Sequence, residues 1–145
     1  MATLLKVDHL EVKYGDLIGV ADVSFEVPEG SVVALLGPNG AGKTTTLNAI
    51  AGTARVSAGT VAFEGENIEG QPAYAIVRKR LALSPEGWRL FTMQSVENNL
   101  LLGATPLSDR KRIPGLLQRD YSVFPRLAER RNQRAGTMSG GERQM

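Results

Sequence analysis

The apolar positions keep different periods along the chain, and each period predicts an element. Leu5 and Val7, then Leu10 and Val12, form a short apolar-rich run closing at Tyr14-Gly15, as a strand and turn do. Val23, Phe25 and Val27 alternate with Ser24 and Glu26, the two-residue period of a half-buried strand, and Pro28-Glu29-Gly30 turns the chain. Residues 32–36, Val-Val-Ala-Leu-Leu, are apolar without alternation, which predicts a strand covered on both faces. From Lys43 the spacing becomes helical, with Leu47, Ile50 and Ala51 on one face and Gly52 as the stop. Val61 and Phe63 alternate up to Gly65, Pro72 opens a helix through Arg80, and Leu81-Ala82-Leu83 reads as a short strand halted by Pro85. Ser95 is placed to cap a helix through Leu102 that ends at Gly103. Residues 108–134 have helical character interrupted by Pro114 and Pro125. Strands first, then a mixed strand–helix core, then a helical end make an α/β protein with an antiparallel N-terminal addition.

Composition narrows this picture only slightly. With 145 residues, 42% apolar and 22% charged, the chain has the makeup of a globular domain rather than a disordered or fibrous one. It has no cysteine, so disulfides and thiolate chemistry are excluded, and no apolar run nears the roughly 20 residues of a membrane-spanning helix. The N-terminus lacks the pattern of a secretory signal. Net charge is +2 but uneven, at −4 over residues 1–109 and +6 over residues 110–145. Aromatics are not interleaved with the basic residues as stacking on nucleic acid would need. Arg110, Lys111, Arg112, Arg126, Arg130, Arg131 and Arg134 therefore read as a solvated helical surface.

The first residues with recognisable chemistry are Gly37-Pro38-Asn39-Gly40-Ala41-Gly42-Lys43-Thr44, a full match to G-x-x-x-x-G-K-[ST]. Glycines let successive N–H groups turn inward to form an anion nest, and the following helix adds its positive end. Lys43 has the reach for the β- and γ-phosphates, and the Thr44 hydroxyl suits Mg²⁺. Such a loop fits kinases, GTPases and several ATPase classes alike. A second landmark, Met138-Ser139-Gly140-Gly141-Glu142, sets a capping serine before two glycines at a helix start, a second anion site.

Together the two motifs resemble the ATP-binding subunit of ABC transporters, whose signature reads Leu-Ser-Gly-Gly-Gln/Glu, with Met138 here in place of Leu. The resemblance is closest to the LivF type, the branched-chain amino acid importer subunit. It rests further on residues 83–87 (Leu-Ser-Pro-Glu-Gly), Leu90-Phe91, residues 95–100 and residues 132–142, and covers essentially the whole chain. It implies a P-loop NTPase fold with an antiparallel N-terminal β-subdomain and a helical subdomain. About residues 1–87 would form the P-loop core plus the β-subdomain, about 88–138 the helical subdomain, and 139–145 the signature and the start of its helix.

The same resemblance implies that Tyr14 stacks on adenine and that Gly37, Pro38, Asn39, Gly40, Ala41, Gly42, Lys43, Thr44 and Thr45 hold the phosphates of ATP. Ser139, Gly140 and Gly141 would contact the γ-phosphate of ATP held by a second subunit in a head-to-tail dimer, with Glu142 counted in the same nucleotide-binding set. Mg²⁺ would fall to Thr44 and Glu86. Most of the superfamily has Gln at the position of Glu86, whereas the LivF type shares the Glu; a carboxylate oxygen can still ligate Mg²⁺. Trp88, the only tryptophan, suits either packing or the groove for the membrane partner. The implied setting is the cytoplasmic face of a bacterial inner membrane, bound to permease subunits, with no nucleic-acid partner. A soluble ABC-type ATPase acting on nucleic acid or ribosomes, and a urea or amide importer subunit, are the alternatives.

No catalytic residue of the family is expected within the chain. The Asp and Glu of the Walker B strand and the switch histidine would follow the signature, and His9, the only histidine, lies in the first strand. The expectation is an intact protein that is an ATPase and a 145-residue chain that is hydrolytically impaired.

Overall fold

A computed structural model describes residues 2–87 and 89–145. Trp88 lies outside the described residues. The chain divides into two compact units, residues 1–83 and residues 84–145.

The first unit is built on a four-stranded antiparallel sheet in the order β2-β1-β3-β4. β1 runs Thr3–Tyr14, β2 Leu17–Pro28, β3 Ala58–Phe63 and β4 Glu66–Asn67. The apolar spacing of β1 contains a phase slip, since Val7 and Leu10 are both buried although an odd separation places them on opposite faces of a regular strand. The register shifts between these residues and His9 takes a left-handed backbone (φ 48°), so a bulge returns Leu10 and Val12 to the inner face. Gly59 of β3 makes room for the bulge; a Cβ there would stand 2.2 Å from the His9 carbonyl oxygen.

One helix of this unit, α1 (Lys43–Ile50), closes the core, and a second, α2, spans Ala73–Arg78. Ala49 and Ile50 join Val7, Leu10, Val12, Val20, Val61, Phe63, Ile68 and Ile76 in one apolar cluster. Gly52 (φ 71°) stops α1, and its N–H donates to the Ala49 carbonyl. Leu47, expected on one face with Ile50 and Ala51, is partly exposed where those two are buried.

Two expected strands are not found. Residues 32–36 pair with no strand among the described residues, and Val32 is fully exposed rather than covered on both faces. Residues 81–83 likewise join no ladder. An apolar, β-branched run becomes a strand only where a neighbour accepts and donates its backbone hydrogen bonds, and the four strands present do not reach it.

The second unit is helical: α3 (Val96–Gly103), α4 (Ile113–Val123), α5 (Pro125–Glu129) and α6 (Gly140–Gln144). Short 3₁₀ turns lie at Arg110–Arg112 and Ala135–Thr137. Ser95 caps α3 as expected, accepting from the Asn98 N–H at 3.1 Å. Pro114 sits in the first turn of α4, where its missing N–H costs nothing, whereas Pro125 divides α4 from α5. Val96, Leu127 and Met138 form the core, with Leu100 and Tyr121 packed against them. No helix among the described residues is long and apolar enough to cross a membrane.

Leu10 is completely buried while Ile18, in the same hairpin, is mostly exposed. Leu10→Ala is expected to lower unfolding stability by about 2–5 kcal/mol, and Ile18→Ala by less than about 1 kcal/mol. Urea titrations of the two variants check this.

Candidate functional site

The glycine-rich loop is set against the sheet by an absence of side chain. Gly42, the N-cap of α1, is left-handed (φ 85°), and a Cβ on it would lie 2.6 Å from the Gly19 carbonyl oxygen and 3.0 Å from Val20 Cγ2. Only glycine fits both the backbone angle and the gap. Gly40 shares the left-handed angle but faces open space. The Ala41 N–H donates to the Pro38 carbonyl at 3.2 Å, closing the turn. From α1 the buried Thr46 hydroxyl donates back to the Gly42 carbonyl at 2.9 Å. The Lys43 ammonium arches over the loop, donating to the Gly37 and Pro38 carbonyls at 2.7 and 2.8 Å.

This arrangement fits a polyphosphate. No side chain caps the N-terminus of α1, so its first N–H groups keep no internal partner. They point the helix's positive end toward a loop whose glycines leave no Cβ in the way, beneath a fixed ammonium. Thr44 is exposed in the first turn and Thr45 is half-buried. Tyr14, at the end of β1, lies beside this helix. A Cβ on Gly19 would meet Tyr14 Cε2 at 3.0 Å and Thr45 Cγ2 at 3.1 Å. Tyr14, Gly19, Gly42 and Thr45 thus meet at one place, with the Tyr14 ring half-exposed. Gly19 was absent from the sequence expectations; its one signal is a glycine inside a strand, which often marks close approach of another segment.

No group of three His, Cys, Asp or Glu among the described residues could hold a metal ion. Thr44 would supply a single oxygen, which suits Mg²⁺ held mainly by phosphate and water rather than by a protein cage. Glu86 lies in the second unit, exposed, in the turn ending at left-handed Gly87.

The second motif is also in the second unit, where the preceding chain positions it. The Val96 N–H donates to the Gln133 carbonyl, Glu97 to Arg131, Ala135 to Gln94 and Gly136 to Thr92, at 2.9–3.0 Å. Residues 131–136 are thereby fastened along residues 92–97, and a Cβ on Gly136 would stand 2.9 Å from the Thr92 carbonyl oxygen. Met138, the residue replacing Leu, is buried in the unit's core and anchors the turn.

Ser139 then caps α6 in a full capping box. Its Oγ accepts from the Glu142 N–H at 3.3 Å, and its N–H donates to Glu142 Oε2 at 3.0 Å. The hydroxyl also lies 2.9 Å from Glu142 Oε2, to which it can donate. Gly140 and Gly141 form the exposed first turn. Glu142 Oε1 faces Arg130 Nε at 3.3 Å and an Arg126 guanidinium nitrogen at 3.5 Å. Arg143 donates to the Met138 and Gly136 carbonyls at 2.9 and 2.6 Å. Arg126 and Arg130 therefore do not simply face water, as their basic surroundings in sequence suggested. They engage Glu142 because α5 runs beside the turn, a neighbourhood that charge counting cannot see.

The Ser139 N–H, and next the Ser139 hydroxyl, hold the Glu142 carboxyl below its ordinary value of 4.5; Arg130 and Arg126 add to this and burial opposes it.

A glycine-built phosphate loop feeding an uncapped helix, together with a capped Ser-Gly-Gly turn, defines a nucleotide-binding protein of the P-loop class. A family model described as ABC transporter matches residues 20–145. The chain is 42% identical over 142 residues to the high-affinity branched-chain amino acid transport ATP-binding protein BraG of Pseudomonas aeruginosa, covering 98% of this chain and 60% of that protein. It is 33% identical over 142 residues to a probable branched-chain amino acid transport ATP-binding protein, LivF, of Archaeoglobus fulgidus, with the same coverage. Among solved structures, an ATP-binding subunit of an ABC transporter aligns with a TM-score of 0.84 at 30% identity, over 98% of this chain and 58% of that one. The chain belongs to the ABC transporter family, and spans about 60% of the length of the curated relatives it matches.

Gly42→Ala is expected to destabilise the first unit well beyond Gly40→Ala, since both need a left-handed backbone but only Gly42 meets the Gly19 carbonyl. Gly40→Ala should cost roughly 1–2 kcal/mol of backbone strain; denaturation midpoints of the two variants compare them. Glu142 gives a pH signature. Because its folded value is depressed, its stabilisation is present above 4.5 and is lost as pH falls through the folded value. The stability gap between the natural chain and Glu142→Gln should therefore shrink on acidification below 4.5, as followed by urea unfolding at neutral and acid pH.

Proposed function

We propose that this chain forms the nucleotide-binding part of the ATPase subunit of an ABC importer for branched-chain amino acids. The observation that carries the reading is the Lys43 ammonium held over the uncapped N-terminus of α1 by the Gly37 and Pro38 carbonyls. Two of its three donors are fixed by the loop, which leaves the charge aimed into the anion nest. The N–H groups of Gly40, Gly42, Lys43, Thr44 and Thr45 bind the β- and γ-phosphates of ATP, and the Tyr14 π-face takes the adenine. The Thr44 hydroxyl would hold Mg²⁺, which offsets charge on the phosphate oxygens when bound.

Ser139, Gly140 and Gly141 supply a hydroxyl and helix N-terminal N–H groups to the γ-phosphate of ATP on a second subunit. Two subunits then close head-to-tail over two nucleotides, and ATP hydrolysis by the whole protein drives a separate permease. The names of the amino acid transport relatives support the cargo class, and no feature of the chain favours a nucleic-acid partner. Permease subunits would dock on the open groove of about 570 Å³ lined by Phe91, Gln94, Asn98, Leu101, Leu102, Thr105 and Arg110. Phe91, Leu101 and Leu102 are apolar and exposed there. On this reading the protein works on the cytoplasmic face of the inner membrane, beside its permease.

In the full-length protein, Lys43→Ala is expected to reduce ATP affinity at least about tenfold, the loss of more than 1.4 kcal/mol of charge-assisted binding, while permease subunits still co-purify. Leu102→Asp should do the reverse. Nucleotide titration and affinity purification from membranes read the two properties. Unchanged ATP binding in Lys43→Ala would refute the phosphate-site reading.

A further inference from the structure

The Glu142 carboxylate divides its two oxygens between two structures. Oε2 accepts from the Ser139 N–H and hydroxyl, at 3.0 and 2.9 Å, and Oε1 faces Arg130 and Arg126 of α5 and its C-cap, at 3.3 and 3.5 Å. Glu142 is nearly buried, at 13% side-chain exposure, so its charge is poorly screened by solvent. Each arginine is held in place by a second contact. Arg126 donates to Glu129 at 2.9 Å, and Arg130 donates to Gln133 at 3.2 Å. Gln133 in turn donates to Thr137 at 2.7 Å, which ties the same network to the residue two before Ser139.

We propose that Arg126 and Arg130 are positioning residues that make a glutamate workable in the signature turn. The proposal rests on the reading that this turn receives the γ-phosphate of ATP on a second subunit. A carboxylate three residues into the turn would repel that phosphate and would also be free to swing away from Ser139. The arginines answer both problems. Held at Oε1, the carboxylate presents Oε2 to Ser139 and sets the N-cap geometry. Together with Glu129 and Glu142 the two arginines make a formally neutral group, and Arg143 leaves the turn with one net positive charge. A glutamine at this position would carry no charge to offset, so it would not depend on the arginines in the same way. The dependence is therefore specific to glutamate.

The test is a mutant cycle in the full-length protein, reading ATP-dependent dimerisation by light scattering and ATP turnover at saturating ATP. Arg126→Ala/Arg130→Ala is expected to lower both on the order of tenfold, as stripping a nearly buried carboxylate of its charge partners does, with nucleotide affinity of the separate subunit unchanged. Adding Glu142→Gln should restore both to the level of Glu142→Gln alone. A double-arginine variant that keeps full dimerisation overturns the proposal. So does a loss that Glu142→Gln fails to relieve, because a purely structural role for α5 would be blind to the charge at position 142. Ser139→Arg separates this failure from failure of the underlying reading. If Ser139→Arg still dimerises on ATP, the turn does not receive the nucleotide at all, and both readings fall; if it does not, only the arginine result decides. Retained ATP affinity in each variant establishes that the subunit is folded.

Discussion

The phosphate loop depends on one close approach, that of Gly42 to the carbonyl of Gly19. The N-terminus of a helix is brought to the backbone of a strand with no side chain on either residue between them. That contact fixes where α1 begins and turns the preceding loop through the left-handed angle at Gly42. It also places the Tyr14 ring beside Thr45, because Gly19 leaves the room in which they meet. The core supports this from behind, since Ala49 and Ile50 pack α1 against Val12 and Val20 of the hairpin. Phosphate-site geometry and hairpin packing are therefore a single constraint, and a methyl group at position 42 would disturb both.

The second unit reaches comparable precision by another route. Its signature turn is placed by backbone hydrogen bonds between residues 92–97 and residues 131–136 and by the buried Met138 side chain. A long unbranched thioether can occupy the site of a leucine because the two have similar volume and the core contact is apolar. The capping box and the arginines then set the polar side of the turn. Here polar side chains perform the alignment that glycines perform in the first unit.

Much of this was legible in the sequence because it is local. The two motifs, the Ser95 cap, the stop at Gly52 and the antiparallel hairpin follow from residues a few positions apart. What escaped is non-local. The bulge at His9 left a trace in the three-residue step from Val7 to Leu10, but its accommodation needs Gly59, about fifty positions away. The apolar run at residues 32–36 has every local mark of a strand and lacks a partner for its ladder among the described residues. Gly19 looks like any strand glycine until α1 is brought against it. Arg126 and Arg130 looked like surface charge, because nothing in the spacing of residues 126 to 142 says that α5 lies beside the signature turn.

The two helix N-termini satisfy their first donors in opposite ways. At α1 the first N–H groups have no side-chain cap, and the loop carbonyls hold Lys43 without consuming those N–H groups. An anion entering there meets donors with no internal competitor. At α6 the capping box already satisfies the Ser139 hydroxyl and N–H through Glu142, and the Glu142 N–H through Ser139. An anion approaching Ser139 must draw its hydroxyl proton from a carboxylate that is itself held by two arginines. The first terminus is thus built to bind by itself, whereas the second gains little from an anion unless other contacts accompany it. That asymmetry fits the site proposed between two subunits, in which one half loads first and the other engages on closure.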